Sequence, residues 1–132
     1  MAAIDRSNIS PERYDDLAAA FRREHLPIPC AFIVGLPGAT VDSFSADLQW
    51  AFDHEITPRC WVCQVLPNAP MNDPEYRERF QLQLDEDDVV IASSTFTVEE
   101  RQHMMGLRMA ERLFEHLGLL RHVLRVLQWE RG

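Results

Sequence analysis

A chain of 132 residues, 46% of them hydrophobic, is long enough for one domain with its own core and too short for two. Its formal net charge of −8, with the basic residues scattered, sets it against nucleic-acid phosphates, so no nucleic-acid partner is expected. Every basic residue is Arg, and the absence of Lys excludes Schiff-base chemistry, pyridoxal phosphate attachment and a Walker A loop.

Residues 1–9 carry no periodicity and read as a lead-in or a surface loop. They lack the apolar core of a signal peptide, and no later run is long enough to span a bilayer, so a cytoplasmic protein with no membrane partner is expected. An odd number of cysteines, three, suits a reducing compartment rather than a disulfide framework. Ser10-Pro11-Glu12 is a helix start, with Ser10 as N-cap and Pro11 in the first turn. Tyr14, Leu17, Ala18 and Phe21 fall on one face, the helix fades near His25, and Pro27 and Pro29 end it.

The next stretch is the centre of the chain. Residues 30–34 are apolar and strand-like, and Gly35-Leu36-Pro37-Gly38 stops them before Thr40 caps a second helix. A strand that opens into a glycine loop and a helix N-terminus is where α/β folds hold ligands. Two readings stand side by side. The loop amides face an anionic or polar ligand, or the glycines serve the turn alone.

The second helix runs to about residue 54, with Phe44, Leu48, Ala51 and Phe52 on one stripe. Thr57-Pro58 closes the connection, and residues 59–66 read as a second strand that ends at Pro67. Strand, helix and strand make a parallel βαβ unit, so the fold class is α/β. Residues 68–88 form the longest irregular stretch, with a short helix near 75–80, and long loops of this kind cover sites. Residues 89–91 read as a short strand. Thr97 with Glu100 is a capping box that opens the longest helix, whose apolar face holds Leu107, Leu113, Phe114 and Leu117, with Gly118 as C-cap. A last helix turns Leu120, Val123, Leu124 and Leu127 inward and ends near Trp129.

Other chemistry-bearing residues have plain readings. Cys60 and Cys63 form a CxxC pair, but positions three apart on a strand point to opposite faces and do not converge on a metal without a bulge. They read as small buried residues, as does Cys30. The five histidines lack ligand spacing, and His103, His116 and His122 read as solvated helix residues. Asp85-Glu86-Asp87-Asp88 lacks the spacing of a calcium loop and reads as a solvated turn. Met104, Met105 and Met109 read as core filler.

Residues 32–40, followed by Ser43-Phe44 and Asp47-Leu48, resemble the fifth strand and helix of radical S-adenosylmethionine enzymes, particularly the cobalamin-binding type. Val65-Leu66-Pro67-Asn68-Ala69-Pro70-Met71 resembles the end of their sixth strand. Arg6-Ser7-Asn8, the helix after Ser10 and the final helices are similar to the segments on either side. Against the family's GxIxGxxE motif, Ile33 and Gly35 match, Ala31 replaces the first glycine and Gly38 stands at the glutamate position.

The resemblance implies a single domain over 1–132, with 1–96 the C-terminal part of a partial (β/α) barrel and 97–132 a helical segment. It implies an adenosyl pocket wall, with Ile33, Gly35, Leu36, Pro37 and Gly38 on one side of the adenine and Val65, Leu66 and Pro67 on the other. The family's cofactors are S-adenosylmethionine, a [4Fe-4S] cluster and, in this type, cobalamin. The cluster-binding CxxxCxxC is absent here, so the chain alone is expected to hold none of them stably and not to be catalytically competent. An unclosed barrel leaves strand edges and an apolar inner face, so self-association or docking on a chain that carries the other strands is expected. The alternatives are a non-catalytic α/β interaction module and, more weakly, a free-standing domain that binds a nucleotide-like ligand at the Gly35 loop.

Overall fold

The computed structural model describes residues 10–26, 28–113, 126–127 and 129–130. Its elements are α1 (Pro11–Arg23), β1 (Pro29–Val34), α2 (Val41–Asp53), β2 (Thr57–Val62), a 3-10 turn (Pro70–Asn72), α3 (Pro74–Arg79), β3 (Gln83–Leu84), β4 (Val90–Ala92) and α4 (Val98–Glu111). This is an α/β fold, and the described strands do not close a barrel.

β1 and β2 pair in parallel across α2, from Pro29 opposite Thr57 to Val34 opposite Val62, as the βαβ spacing predicts. The Thr57 N–H donates to the Ile28 carbonyl at 3.1 Å and the Cys63 N–H to the Val34 carbonyl at 2.9 Å. β2 begins two residues before the expected strand and takes in Pro58. Alternation points the amide position of residue 58 away from β1, so the proline costs the ladder no bond.

The expected second strand over 59–66 is also divided. After Val62 the chain leaves β1 and pairs antiparallel to β4 instead. The Val90 N–H donates to the Cys63 carbonyl at 3.0 Å, and the Val65 N–H donates to the Asp88 carbonyl at 2.8 Å. β3 and β4 form an antiparallel hairpin, so the stretch expected to be irregular holds a 3-10 turn, a helix and a strand. The acidic run is the hairpin loop. Asp85 Oδ1 accepts from the amides of Asp87 at 3.0 Å and Val89 at 2.9 Å, which explains an aspartate at that position.

The helices end close to the expected places, near His25 and residues 54 and 80, but α1 is stopped by a left-handed residue rather than by its prolines. α1 stops at Arg23 because His25 takes φ 55°, with the Leu26 N–H on the Phe21 carbonyl and the His25 N–H on the Arg22 carbonyl, a Schellman motif. Glu55 (φ 55°) does the same after α2, and Gln81 (φ 50°) after α3. Helix starts follow the sequence: Thr40 with Ser43, and Thr97 with Glu100, form reciprocal capping boxes.

The core joins Val34, Phe44, Leu48, Cys63, Val65, Val90, Phe96 and Met104, with Phe32 and Cys60 packed against it. Phe44, Leu48 and Ala51 are buried as the α2 stripe predicts. Met104 is fully buried, but Met109 is 51% exposed and is not core filler. Leu17 and Leu127, both expected to face inward, are 44% and 50% exposed. α1 meets α2 through an edge-to-face contact of Tyr14 and Trp50 at 5.5 Å and an Arg22 Nη1 bond to the His54 carbonyl at 2.8 Å. The expectations for residues 1–9, Pro27, Phe114, His116, Leu117, Gly118, Leu120, His122, Val123 and Leu124 lie outside the described residues. Among the described residues, no helix is long and apolar enough to cross a membrane.

Candidate functional site

The Gly-Leu-Pro-Gly segment folds as a tight turn at the end of β1. The Ala39 N–H donates to the Leu36 carbonyl at 2.9 Å, Pro37 holds the first central position, and Gly38 at the second takes φ 93°, the arrangement of a type II turn. Gly35 precedes it with φ 81°. A Cβ there would lie 3.5 Å from the Val90 carbonyl oxygen and 3.7 Å from the Phe96 ring.

The Gly38, Ala39 and Thr40 amides of this segment are engaged within the fold. The Gly38 N–H donates to Thr95 Oγ1 at 3.2 Å, and the Thr95 hydroxyl donates to the Ala39 carbonyl at 2.7 Å. The Thr40 N–H donates to Ser43 Oγ at 2.9 Å. These N–H groups therefore build the turn and the helix cap rather than an anion cradle. What the loop offers outward is apolar surface.

The eight residues expected to flank an adenine divide by burial. Gly35, Pro37 and Val65 are buried, and Leu36 is half-buried. Ile33 is 39% exposed, Leu66 is 60% exposed, and Gly38 and Pro67 are exposed. The end of β1 and the continuation of β2 come together, for the Cβ position of Gly35 is 3.9 Å from Cys63 Cβ. The Leu66 rim is held from below: its carbonyl accepts from the Ala69 N–H at 3.0 Å, and the Pro67 carbonyl accepts from Asn72 Nδ2 at 2.8 Å. Arg77 Nη2 donates in turn to Asn72 Oδ1. Sequence reasoning missed Thr95, Asn72 and Arg77, because none belongs to a local motif and Thr95 acts on a loop 56 positions away.

Of the three cysteines expected to be buried, Cys63 is buried, whereas Cys30 and Cys60 are half-buried. Burial pushes the Cys60 thiol up to about 12, helped by the Glu111 carboxylate and opposed by the Arg108 guanidinium. Burial alone pushes the Cys63 thiol up to about 11. A metal ligand has to be thiolate, so both surroundings disfavour ligation. Among the described residues, no group of three or more His, Cys, Asp and Glu side chains comes together in a way that could hold a metal ion. The residues present do not fit an iron–sulfur cluster. A shallow notch of about 190 Å³ opens beside β2, lined by Pro58, Cys60 and Trp61 with Arg108 and Glu111 of α4, and it includes none of the eight residues.

Over 85 residues the chain is 36% identical to the cobalamin-dependent radical SAM methyltransferase TokK of Streptomyces tokunonensis, an alignment that covers 62% of this chain and 12% of that protein. Over 78 residues it is 37% identical to the 2-(S-pantetheinyl)-carbapenam-3-carboxylate methyltransferase of Streptantibioticus cattleyicolor, covering 57% of this chain and 11% of that protein. The matched stretch is thus a small part of each relative. No protein-family profile matches the sequence.

Proposed function

We propose that this chain is the C-terminal part of a radical S-adenosylmethionine barrel of the cobalamin-binding type, that its β1 and β2 ends form one wall of an adenosyl pocket, and that it does not cleave S-adenosylmethionine by itself. The observation that carries the proposal is the 36% identity over 85 residues to a cobalamin-dependent radical SAM methyltransferase. The accessible apolar surface of Ile33 and Leu66 is suited to an adenine face, and the Gly38, Ala39 and Thr40 amides of the turn are already engaged. Cys30, Cys60 and Cys63 do not come together as ligands for an iron–sulfur cluster. Its localisation is taken as cytoplasmic.

The test is a titration of the ¹⁵N-labelled chain with S-adenosylhomocysteine, followed by amide chemical shifts. Shifts centred on Ile33, Leu36 and Leu66 are expected, with weak affinity. Their absence at millimolar ligand overturns the adenosyl wall. Anaerobic reconstitution with iron and sulfide is a second check, in which the chain alone gains no stable cluster.

One observation favours a second reading, a non-catalytic interaction module. Ile33 and Trp61 lie exposed on one sheet face, and β1 pairs only with β2 among the described strands. On that reading the open face and edge self-associate or dock on another chain that supplies the remaining strands.

A further inference from the structure

Thr95 sits in a tight turn closed by the Ser93 N–H on the Phe96 carbonyl at 2.9 Å. A threonine hydroxyl has one proton to give and two lone pairs to receive. The Ala39 carbonyl, 2.7 Å away, takes the proton, because a carbonyl can only accept. The Gly38 N–H occupies one lone pair at 3.2 Å. Ser93 Oγ lies 3.1 Å away and must then donate to the other, while it accepts from the Thr95 N–H at 3.2 Å. The hydroxyl is fully used, and two of its partners are the amide and carbonyl that follow Pro37.

That choice of partners matters for the turn. Type I and type II turns differ by a flip of the central peptide, here the one joining Pro37 to Gly38, and the flip reverses the direction of the Gly38 N–H. An acceptor fixed on one side of that amide selects one state. Gly38 can adopt both, since glycine tolerates either sign of φ. Pro37 and Gly38 already suit type II, and the Thr95 hydroxyl adds an anchor that holds the central peptide in that orientation.

We infer that Thr95 is the positioning residue of the adenosyl rim: its hydroxyl selects the orientation of the Pro37–Gly38 peptide and so sets the surface that Leu36 and Gly38 present beside Ile33. This rests on the adenosyl reading for the ligand and on the hydrogen bonds above for the clasp.

The experiment compares wild type with Thr95→Val, which keeps the shape and removes the hydroxyl, Thr95→Ser, which restores it, and Ser93→Ala, which removes one donor. Amide hydrogen exchange and S-adenosylhomocysteine titration are read by NMR on each. Thr95→Val is expected to speed exchange of the Gly38 amide by about tenfold, the worth of roughly one hydrogen bond, and to weaken the ligand several-fold. Exchange at the core amides of Cys63 and Val90 stays as in wild type. Thr95→Ser returns both readouts, and Ser93→Ala gives a smaller change in the same direction.

Unchanged Gly38 exchange in Thr95→Val overturns the clasp and leaves the adenosyl reading standing. Exchange that rises equally at Cys63 and Val90 overturns it too, by showing a loss of general stability. Altered Gly38 exchange with unaltered ligand affinity overturns the positioning role. A wild type without ligand shifts overturns the adenosyl reading and the role toward it, whatever the exchange data show.

Discussion

Trp61 stands directly opposite Ile33 in the parallel register of β1 and β2, and the two are 61% and 39% exposed. Their neighbours on the other face, Phe32 and Cys60, are packed against the core. A large indole and a branched aliphatic side by side in water form an apolar patch that a partner surface removes from solvent. The chain is therefore expected to sediment with a concentration-dependent mass. Trp61→Glu should shift it toward monomer while changing unfolding free energy by less than about 1 kcal/mol, since the site is exposed. A single monomeric species at high concentration would count against both the patch and the open edge as interaction surfaces.

The glycines separate cleanly. Gly35→Ala forces a side chain into φ 81° with the Val90 carbonyl oxygen 3.5 Å away, and Gly38→Ala forces one into φ 93°; each should destabilise by about 1–2 kcal/mol. Gly106 lies inside α4 with nothing within 4 Å of a Cβ, so Gly106→Ala should stabilise by about 0.5–1 kcal/mol. Urea unfolding of the three variants reads the opposite signs.

His25, Glu55 and Gln81 carry positive φ at helix ends where glycine has no Cβ penalty. The left-handed conformation costs an L residue about 1–2 kcal/mol, partly offset by the greater chain entropy a glycine loses. Replacing each by glycine should raise stability by about 0.5 kcal/mol. Thermal unfolding of the triple variant, expected to melt several degrees higher, checks the sum.

Alkaline pH should weaken the fold from a defined point. The Cys60 and Cys63 thiols are raised from 9.0 to about 12 and about 11, chiefly by burial. Above about pH 9 the unfolded chain gives up protons that the folded chain keeps, so ionisation favours the unfolded state. Stability is thus level below pH 9 on this account and declines as pH rises toward the folded values. Cys63, 4% exposed, contributes on the order of 2 kcal/mol to the decline. Tyr14, raised by burial and then by its hydrogen bond with Cys30, acts in the same direction. Urea midpoints at successive pH values follow this, and Cys63→Ala should flatten the slope.

What could be read from the sequence was what is encoded locally. Thr40 announces a helix start as an N-cap and Thr97 does so with Glu100 three residues on, and Phe44, Leu48 and Ala51 repeat at helical spacing, so α2 and α4 were legible at their N-termini. The ends of α1, α2 and α3 fall within about two residues of the expected places, but the device that stops them was not legible, because His25, Glu55 and Gln81 take a glycine's conformation without being glycine. The end of β2 was hidden for another reason. Residues 59–66 are continuously strand-like, and only the hairpin of residues 83–92 decides that pairing passes from β1 to β4 at Cys63. The Gly35–Gly38 turn was visible as a turn, whereas its clasp by Thr95 depends on a contact between distant loops.

The parallel pairing of β1 with β2 also orders events in time. Its strands cannot meet until all of α2 has been brought back across them, while β3 and β4 need only the short loop that Asp85 closes. Contacts between remote segments form slowly and hairpins quickly, so the crossover is expected to set the folding rate. Leu48→Ala should slow refolding in a stopped-flow experiment by most of its equilibrium cost. Asp85→Ala should chiefly hasten unfolding if the hairpin docks after the barrier. The same helix that separates the two strands in sequence thus acts as the clock of their assembly.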